Sequence, residues 1–444
     1  MVFFGMRKGR FAYISFFIKD CHFIYKLYPC GLMAIVLVVL DGAADRANPE
    51  LSGMTPLEYA DMPNLRRFAK NASKGMMYSV GKGIAPESDA AIFSILGYKV
   101  SDYTGRGPLE AFGAGLDVGE KTLGVRCNFA TIGHDRRIID RRAGRISTRD
   151  AELLGEEISK VDLGIDGVSF EFKPTVGHRG ACVFRSESRG FSHMVSNADL
   201  GYVKKGTISV AVGGELGKLP DVVPLDKSKE AEFTAYVLNT FISKVIEALS
   251  GSEVNERRRR EGIYEANSLL MRDAGVGLPN VEGFNGRFGK KAAFIAEMAV
   301  EKGISRLIGM NPIEIPEIKE RNVRYKVMAD KVNSNIDAYD FVYVHIKGPD
   351  EPGHDGDAPL KAKILEEIDA NFFGMLDMKG IRLCVTADHA TPCTMKAHSD
   401  DPVPVMFTGV EAMHGEPEEF DEKIGDLGSL GIINGVELVD MIIK

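Results

Sequence analysis

The sequence predicts an α/β protein: a doubly wound core with a smaller α/β domain inserted into it. The first observation is a set of continuous apolar runs, at 35–40, 341–345 and 381–386, each ending in polar residues. Runs of that kind fit parallel strands buried on both faces, because a half-exposed strand would alternate. The second is that helical stretches lie between them: 63–71 after a Met-Pro entry, 290–302 closing at Gly303, and 360–377 with apolar residues at helical spacing. Strands alternating with helices build a sheet covered on both faces. The third is a change of texture in the middle of the chain. Short strand-like pieces at 124–132, 180–185 and 207–212 stand there beside helical pieces at 148–158 and 231–249. The chemistry-bearing motifs flank this segment. The expected division is therefore a core from 33–115 and 284–444 with an insert at 116–283.

A chain of 444 residues exceeds the size at which a single core stops growing, which agrees with two domains. The net charge of -8 argues against a general role on nucleic acid, which favours basic surfaces. The run Arg257–Arg260 is flanked by glutamates and reads as a solvated helix face. Six cysteines without CxxC spacing suggest neither a zinc ribbon nor a redox motif, and fit a reducing cytoplasm. Residues 1–32 lack a clear period, and their apolar stretch is broken by Lys19 and Asp20, too short for a membrane span. Met33 opens the first buried strand, so 1–32 is expected to be a non-native or disordered extension.

Four of the nine histidines, His345, His354, His389 and His398, fall in one C-terminal stretch, interleaved with Asp350, Asp355, Asp388, Asp400 and Asp401. Imidazole mixed with carboxylate suits manganese, zinc or magnesium-like ions, the imidazole share favouring the transition metals. Asp41 follows the first apolar run, the segment 350–356 reads as a loop beyond the second, and Asp388-His389 follows the third. Ligands of open α/β sheets bind beyond the carboxyl ends of the strands, so three strands deliver ligands to one edge. Singly, each has a plainer reading: Asp41-Gly42 as a turn, Asp388-His389 as a helix cap, His398 as a surface histidine.

Paired divalent ions serve in-line phosphoryl displacement, which needs a nucleophile and anion holders. Ser88 precedes an apolar helical run at 90–96 that stops at Gly97, so it stands at a helix N-terminus, where the dipole favours an anion. On local sequence alone, a simple N-cap explains it as well. Arg106 lies between glycines, and Arg126, Arg145 and Arg179 lie in or beside strand-like or glycine-bearing pieces of the insert. Arginine grips phosphate and carboxylate in bidentate fashion, although each of these alone also reads as a surface residue. No P-loop is present: Gly286–Lys291 has the wrong spacing and lacks the following Ser or Thr.

From Met33 to the C-terminus, long ordered motifs resemble the archaeal cofactor-independent phosphoglycerate mutases. They include Val38-Val-Leu-Asp41-Gly-Ala-Ala-Asp45, Tyr103-Thr-Gly105-Arg106-Gly-Pro-Leu-Glu110 and Arg126-Cys-Asn128. Further ones are Ala143-Gly-Arg145, Val344-His345-Ile-Lys347, Asp350-Glu-Pro-Gly-His354, Thr386-Ala-Asp388-His389-Ala-Thr391-Pro-Cys393 and Lys396-Ala-His398. The resemblance implies an alkaline-phosphatase-like core, metal-binding and catalytic, with an inserted substrate-binding domain. It implies two divalent ions (Mn, Co, Zn or Mg), one held by Asp350, His354 and His398, the other by Asp41, Asp388 and His389, with Ser88 as shared ligand and nucleophile. It further implies substrate contacts from Arg106, Arg126, Asn128, Arg145, Arg179 and Lys347.

The implied reaction interconverts 3-phosphoglycerate and 2-phosphoglycerate through a phosphoserine, a step of glycolysis and gluconeogenesis. The expected partner is that small molecule, with no nucleic acid and no membrane. Glu87 stands where the family commonly has glycine, Ser196–Leu200 where it often has an Asp-Thr-Asp-Pro-like segment, and Arg272-Asp273-Ala274-Gly275 where it has Arg-Gly-Ala-Gly. The rival enzyme is a metal-dependent phosphatase or phosphonate hydrolase on the same core; the rival from another class is a metal-binding regulatory protein with a decayed site.

Overall fold

A computed structural model describes residues 33–205, 208–211, 217–409 and 417–444. The expectation for 1–32 lies outside the described residues. The first strand, Ala34–Leu40, is buried along its whole length, as an all-apolar sequence without alternation requires. It runs parallel between Phe341–Ile346 and Ile381–Ala387. Around this centre the eight-stranded sheet is ordered Asn311–Pro312, Ala292–Ile295, Phe341–Ile346, Ala34–Leu40, Ile381–Ala387, Val403–Thr408, Ala72–Tyr78, Gly431–Asn434. Val403–Thr408 is antiparallel to both its neighbours, and the other pairs are parallel. Leu40 pairs with Ile346 on one side and Ala387 on the other. One residue further, Asp41, Lys347 and Asp388 therefore stand level at the same edge.

The second sheet is antiparallel and has five strands: Leu123–Ile132 pairs with Arg179–Ser186, Ser268–Val276 and Ile138–Asp140, and Val168–Pro174 pairs with Arg179–Ser186. The helices Thr148–Ile158 and Lys229–Ser250 bury apolar residues in the core that covers one face of it, separate from the core of the larger sheet. Tyr202–Lys205 and Ile208–Ala211 form a further hairpin, the described part of the expected strand at 207–212.

Four local expectations change. The helix expected over 290–302 is a strand, Ala292–Ile295, followed by a helix, Ala299–Leu307. Four buried apolar residues carry no period that separates strand from helix, and here the pairing with Phe341–Ile346 decides. Gly303 lies inside the second helix and does not end it, because a Cβ there would come within 1.9 Å of the Leu109 carbonyl oxygen of a crossing helix. The segment expected as a loop after Lys347 is a short helix, Asp350–Asp355, closed by Gly356 at φ +82. The helix expected over 360–377 is Ala358–Asn371, followed by a separate turn at Phe373–Met375. Of the four arginines at 257–260, Arg258 is buried, donating to the carbonyls of Ala143 and Tyr264 and to Asp150; the helix face is solvated only in part. Among the described residues no helix is long and apolar enough to cross a membrane.

Candidate active site

Four backbone devices deliver the acidic and imidazole groups to one edge. Gly42 turns the chain after the first strand at φ +58, and a Cβ there would lie 2.7 Å from Asp350 Oδ1 and from Thr391 Oγ1. Only glycine fits a left-handed turn that close to side chains. Asp388 Oδ1 accepts from the Gly42 and His389 amides, which leaves Oδ2 facing His345 Nε2 at 3.3 Å and His389 Nε2 at 3.4 Å. The short helix puts Asp350 and His354 at i and i+4, on one face. Ser88 is the first residue of the helix Ser88–Ile95 and Glu87 is its N-cap, so the simple capping reading of Ser88 does not hold. Its Oγ lies 3.1 Å from His389 Nε2 and 3.5 Å from Asp41 Oδ1.

Two groups of potential ligand atoms result, Asp350 with His389 and His398, and Asp41 with His345 and Asp388, each within 4.8 Å of one another. His354 adjoins the first, its Nε2 being 3.2 Å from His398 Nε2 and 3.5 Å from Asp350 Oδ1. The Nδ1 atoms of His354 and His398 meet the carbonyl oxygens of Lys396 and Pro86, at 3.2 and 2.8 Å. A carbonyl only accepts, so each Nδ1 carries a proton and each Nε2 points inward, toward Asp350 Oδ1 at 3.5 Å. Two inward imidazole nitrogens and a carboxylate oxygen facing one another form a donor set that fits a divalent metal, which would take the place of the proton that Asp350 holds on His398.

Burial and neighbouring charge set the protonation of these groups. Burial pushes Asp41 up to about 7, against the pull of Lys347 and with the push of Asp388. Burial lowers His389 to about 4. His398 resists burial and rises to about 10, because Asp350 and Glu87 hold its proton. Burial opposes the charges of Asp388 and Asp350, yet histidines beside both hold them well below the usual carboxylate range.

Lys347 Nζ reaches Asp41 Oδ2 at 3.0 Å and Glu301 Oε1 at 2.8 Å. Arg106 donates to Glu110 at 2.9 Å and faces Glu87 at 3.8 Å, and Arg126 lies 3.4 Å from the same Glu110 oxygen. Glu110 thus ties a helix of the core side to the central strand of the second sheet. Burial, with Arg106 and Arg272 beside it, lowers Arg126 to about 10. Across that sheet Arg126 is paired with Arg272, and Asn128 with Arg179. One face therefore presents three guanidinium groups and an amide whose oxygen is buried without a partner. Arg145 instead stands exposed at φ +56 in the turn after Ile138–Asp140, with no ion pair among the described residues.

Sequence reasoning left four neighbours without a role. His345 and Glu301, 3.3 Å apart and fully buried, lie behind Asp388 and Lys347. His345 was legible as a strand-end histidine, whereas Glu301 fell in the misplaced helix. Arg272, over the Tyr202 ring at 3.6 Å and 3.0 Å from Asp199, belongs to a quoted motif. Thr391 also belongs to a quoted motif, but its residue type alone gives it no role.

A family model described as 2,3-bisphosphoglycerate-independent phosphoglycerate mutase matches residues 69–255. A protein of that name from Aeropyrum pernix is 40% identical over 415 residues, covering 91% of this chain and 97% of its own. A second, from Methanocaldococcus jannaschii, is 38% identical, with 92% and 96% covered. The solved cofactor-independent phosphoglycerate mutase of Thermoplasma acidophilum superposes with a TM-score of 0.59 at 31% identity, covering 92% of this chain and 98% of its own. A solved protein from Pyrococcus horikoshii reaches 0.74 at 28% identity, with 92% and 96% covered.

Proposed function

The chain belongs to the 2,3-bisphosphoglycerate-independent phosphoglycerate mutase family, in its archaeal form within the alkaline-phosphatase superfamily, and from that premise we propose that it interconverts 3-phosphoglycerate and 2-phosphoglycerate through a phosphoserine on Ser88. The single observation that carries the serine step is the place of Ser88 Oγ, at a helix N-terminus between Asp41 and His389. Asp350, His354 and His398 would hold one divalent ion, and Asp41, Asp388, His389 and Ser88 the other. Such ions, manganese, cobalt, zinc or magnesium, supply charge that stabilises the attacking, leaving and equatorial oxygens of an in-line transfer.

The chain's own groups do the rest. Ser88 Oγ gives up its proton and attacks phosphorus, the bond from phosphorus to the 3-oxygen breaks, and that oxygen takes up a proton, leaving glycerate. Arg126, Arg179 and Asn128 on the face of the second sheet grip the glycerate while it reorients. Its 2-hydroxyl then attacks the phosphoserine, and Ser88 is released. Arg106 and Lys347 add fixed positive charge near the serine, which needs no reorganisation during the transfer. In this reading residues 33–115 and 284–444 are the catalytic domain and 116–283 the substrate-binding one, working in the cytoplasm. Closure of one on the other keeps water out, and a phosphatase on the same core would let water in.

A stoichiometric quench tests the serine step. Enzyme in excess is mixed with 3-phosphoglycerate labelled in its phosphoryl group, stopped in acid and mapped by peptide. The label is expected on Ser88, and Ser88→Ala is expected to carry none and to lose turnover while still binding ions. Turnover retained in Ser88→Ala contradicts the assignment.

A further inference from the structure

Three of the site's four histidines, His354, His389 and His398, turn Nε2 inward, but they are held there differently. His354 and His398 have their Nδ1 atoms on backbone carbonyls. His389 has its Nδ1 on a hydroxyl, Thr391 Oγ1, at 3.0 Å. A hydroxyl can donate or accept, so this contact alone leaves the tautomer open. The second contact of the same oxygen closes it. Thr391 Oγ1 donates to Asp350 Oδ1 at 2.7 Å, and a threonine hydroxyl has one proton to give. Toward His389 it can then only accept, which requires the proton on Nδ1 and a lone pair on Nε2. That lone pair faces Ser88 Oγ at 3.1 Å.

Thr391 is itself fixed from every side. It is fully buried, and its amide donates to the Ala44 carbonyl at 3.0 Å. Its carbonyl accepts from the buried Lys361 ammonium at 2.9 Å, which also holds the Ala44 carbonyl and the Asp45 carboxylate. Gly42 and Gly353 lack the Cβ atoms that would strike it. We propose that Thr391 is a positioning residue: by giving its one proton to Asp350 it fixes His389 as the Nδ1–H tautomer, and so couples the two ion sites proposed above. The consequence for ion binding rests on the function proposed above, whereas the tautomer does not. Partners that orient a ligating histidine in this way change metal affinity by about 10–100-fold when removed.

The test uses the full chain with 15N-labelled histidine, as wild type, Thr391→Val and Thr391→Ser, with His389→Gln to locate the resonance. Two-bond nitrogen–proton spectra of the metal-free wild type are expected to show His389 protonated at Nδ1; protonation at Nε2 overturns the proposal. Calorimetric titration with manganese is expected to show about 10-fold or weaker binding in Thr391→Val, recovery to within a few-fold in Thr391→Ser, and a fall in kcat with KM nearly unchanged. Unchanged binding in Thr391→Val overturns it. If the valine variant does not fold, the wild-type spectrum and the serine variant still decide. A wild type that binds no ion and turns over no substrate removes the function reading instead, and the spectrum then decides the tautomer alone.

Discussion

Burial penalises the charge of Glu422 more than its partners relieve it. Its carboxylate accepts from the Asp45 amide at 2.8 Å and from Thr55 Oγ1 at 2.6 Å, yet burial raises it from its ordinary 4.5 to about 7. The folded value lies above the unfolded one, so the neutral acid suits the fold and the ion does not. The penalty is absent below about pH 4.5, grows through neutrality and is complete above about pH 7. Glu422→Gln is therefore expected to gain stability over the wild type as the pH is raised through that window. Melting temperatures of both proteins at acid and at mildly alkaline pH check this; a constant difference contradicts it. At this scale the sequence was most legible where a polar residue directly follows an apolar run. Asp41, Asp388 and His389 are of that kind. Glu301, Thr391 and Lys361 were not legible, because each acts from behind a ligand and owes its place to contacts distant in sequence.

Two helices cross where the catalytic edge meets the second sheet. Arg106–Gly113 and Ala299–Leu307 approach through glycines: a Cβ on Gly113 would lie 1.7 Å from the Ala299 carbonyl oxygen, and one on Gly303 1.9 Å from that of Leu109. The first helix carries Arg106 and Glu110, the second Glu301. Their spacing therefore sets the distance between the arginine group and the Lys347–His345 group. Gly303→Ala gains helix propensity but must push the helices apart, and overpacking of that kind costs about 1–3 kcal/mol. A lower urea midpoint together with reduced activity is expected; a rise in the midpoint contradicts the packing account. The same glycine explains the misplaced helix boundary. Glycine after a helical run commonly marks a stop, and only the crossing helix reveals that here it marks a contact.

In the whole molecule the helix Arg106–Gly113 joins two sheets with separate cores, one with acidic and imidazole groups at its strand ends and one with arginines on a face. The larger sheet was legible because strands buried on both faces leave unbroken apolar runs. The antiparallel strands at 168–174 and 268–276 were not, since half-exposed Val168–Pro174 lacks such a run and Ser268–Val276 carries Arg272 and Asp273 within it. The juxtaposition itself is a matter of topology, which a local reading does not reach. The central claim, a mutase that needs divalent ions and no 2,3-bisphosphoglycerate, is tested most directly by one assay. The protein is incubated with 3-phosphoglycerate and manganese, without 2,3-bisphosphoglycerate, and 2-phosphoglycerate is followed through enolase. Steady formation of 2-phosphoglycerate that a chelator abolishes and manganese restores is the expected result; release of inorganic phosphate in its place, or turnover indifferent to the chelator, would contradict the account.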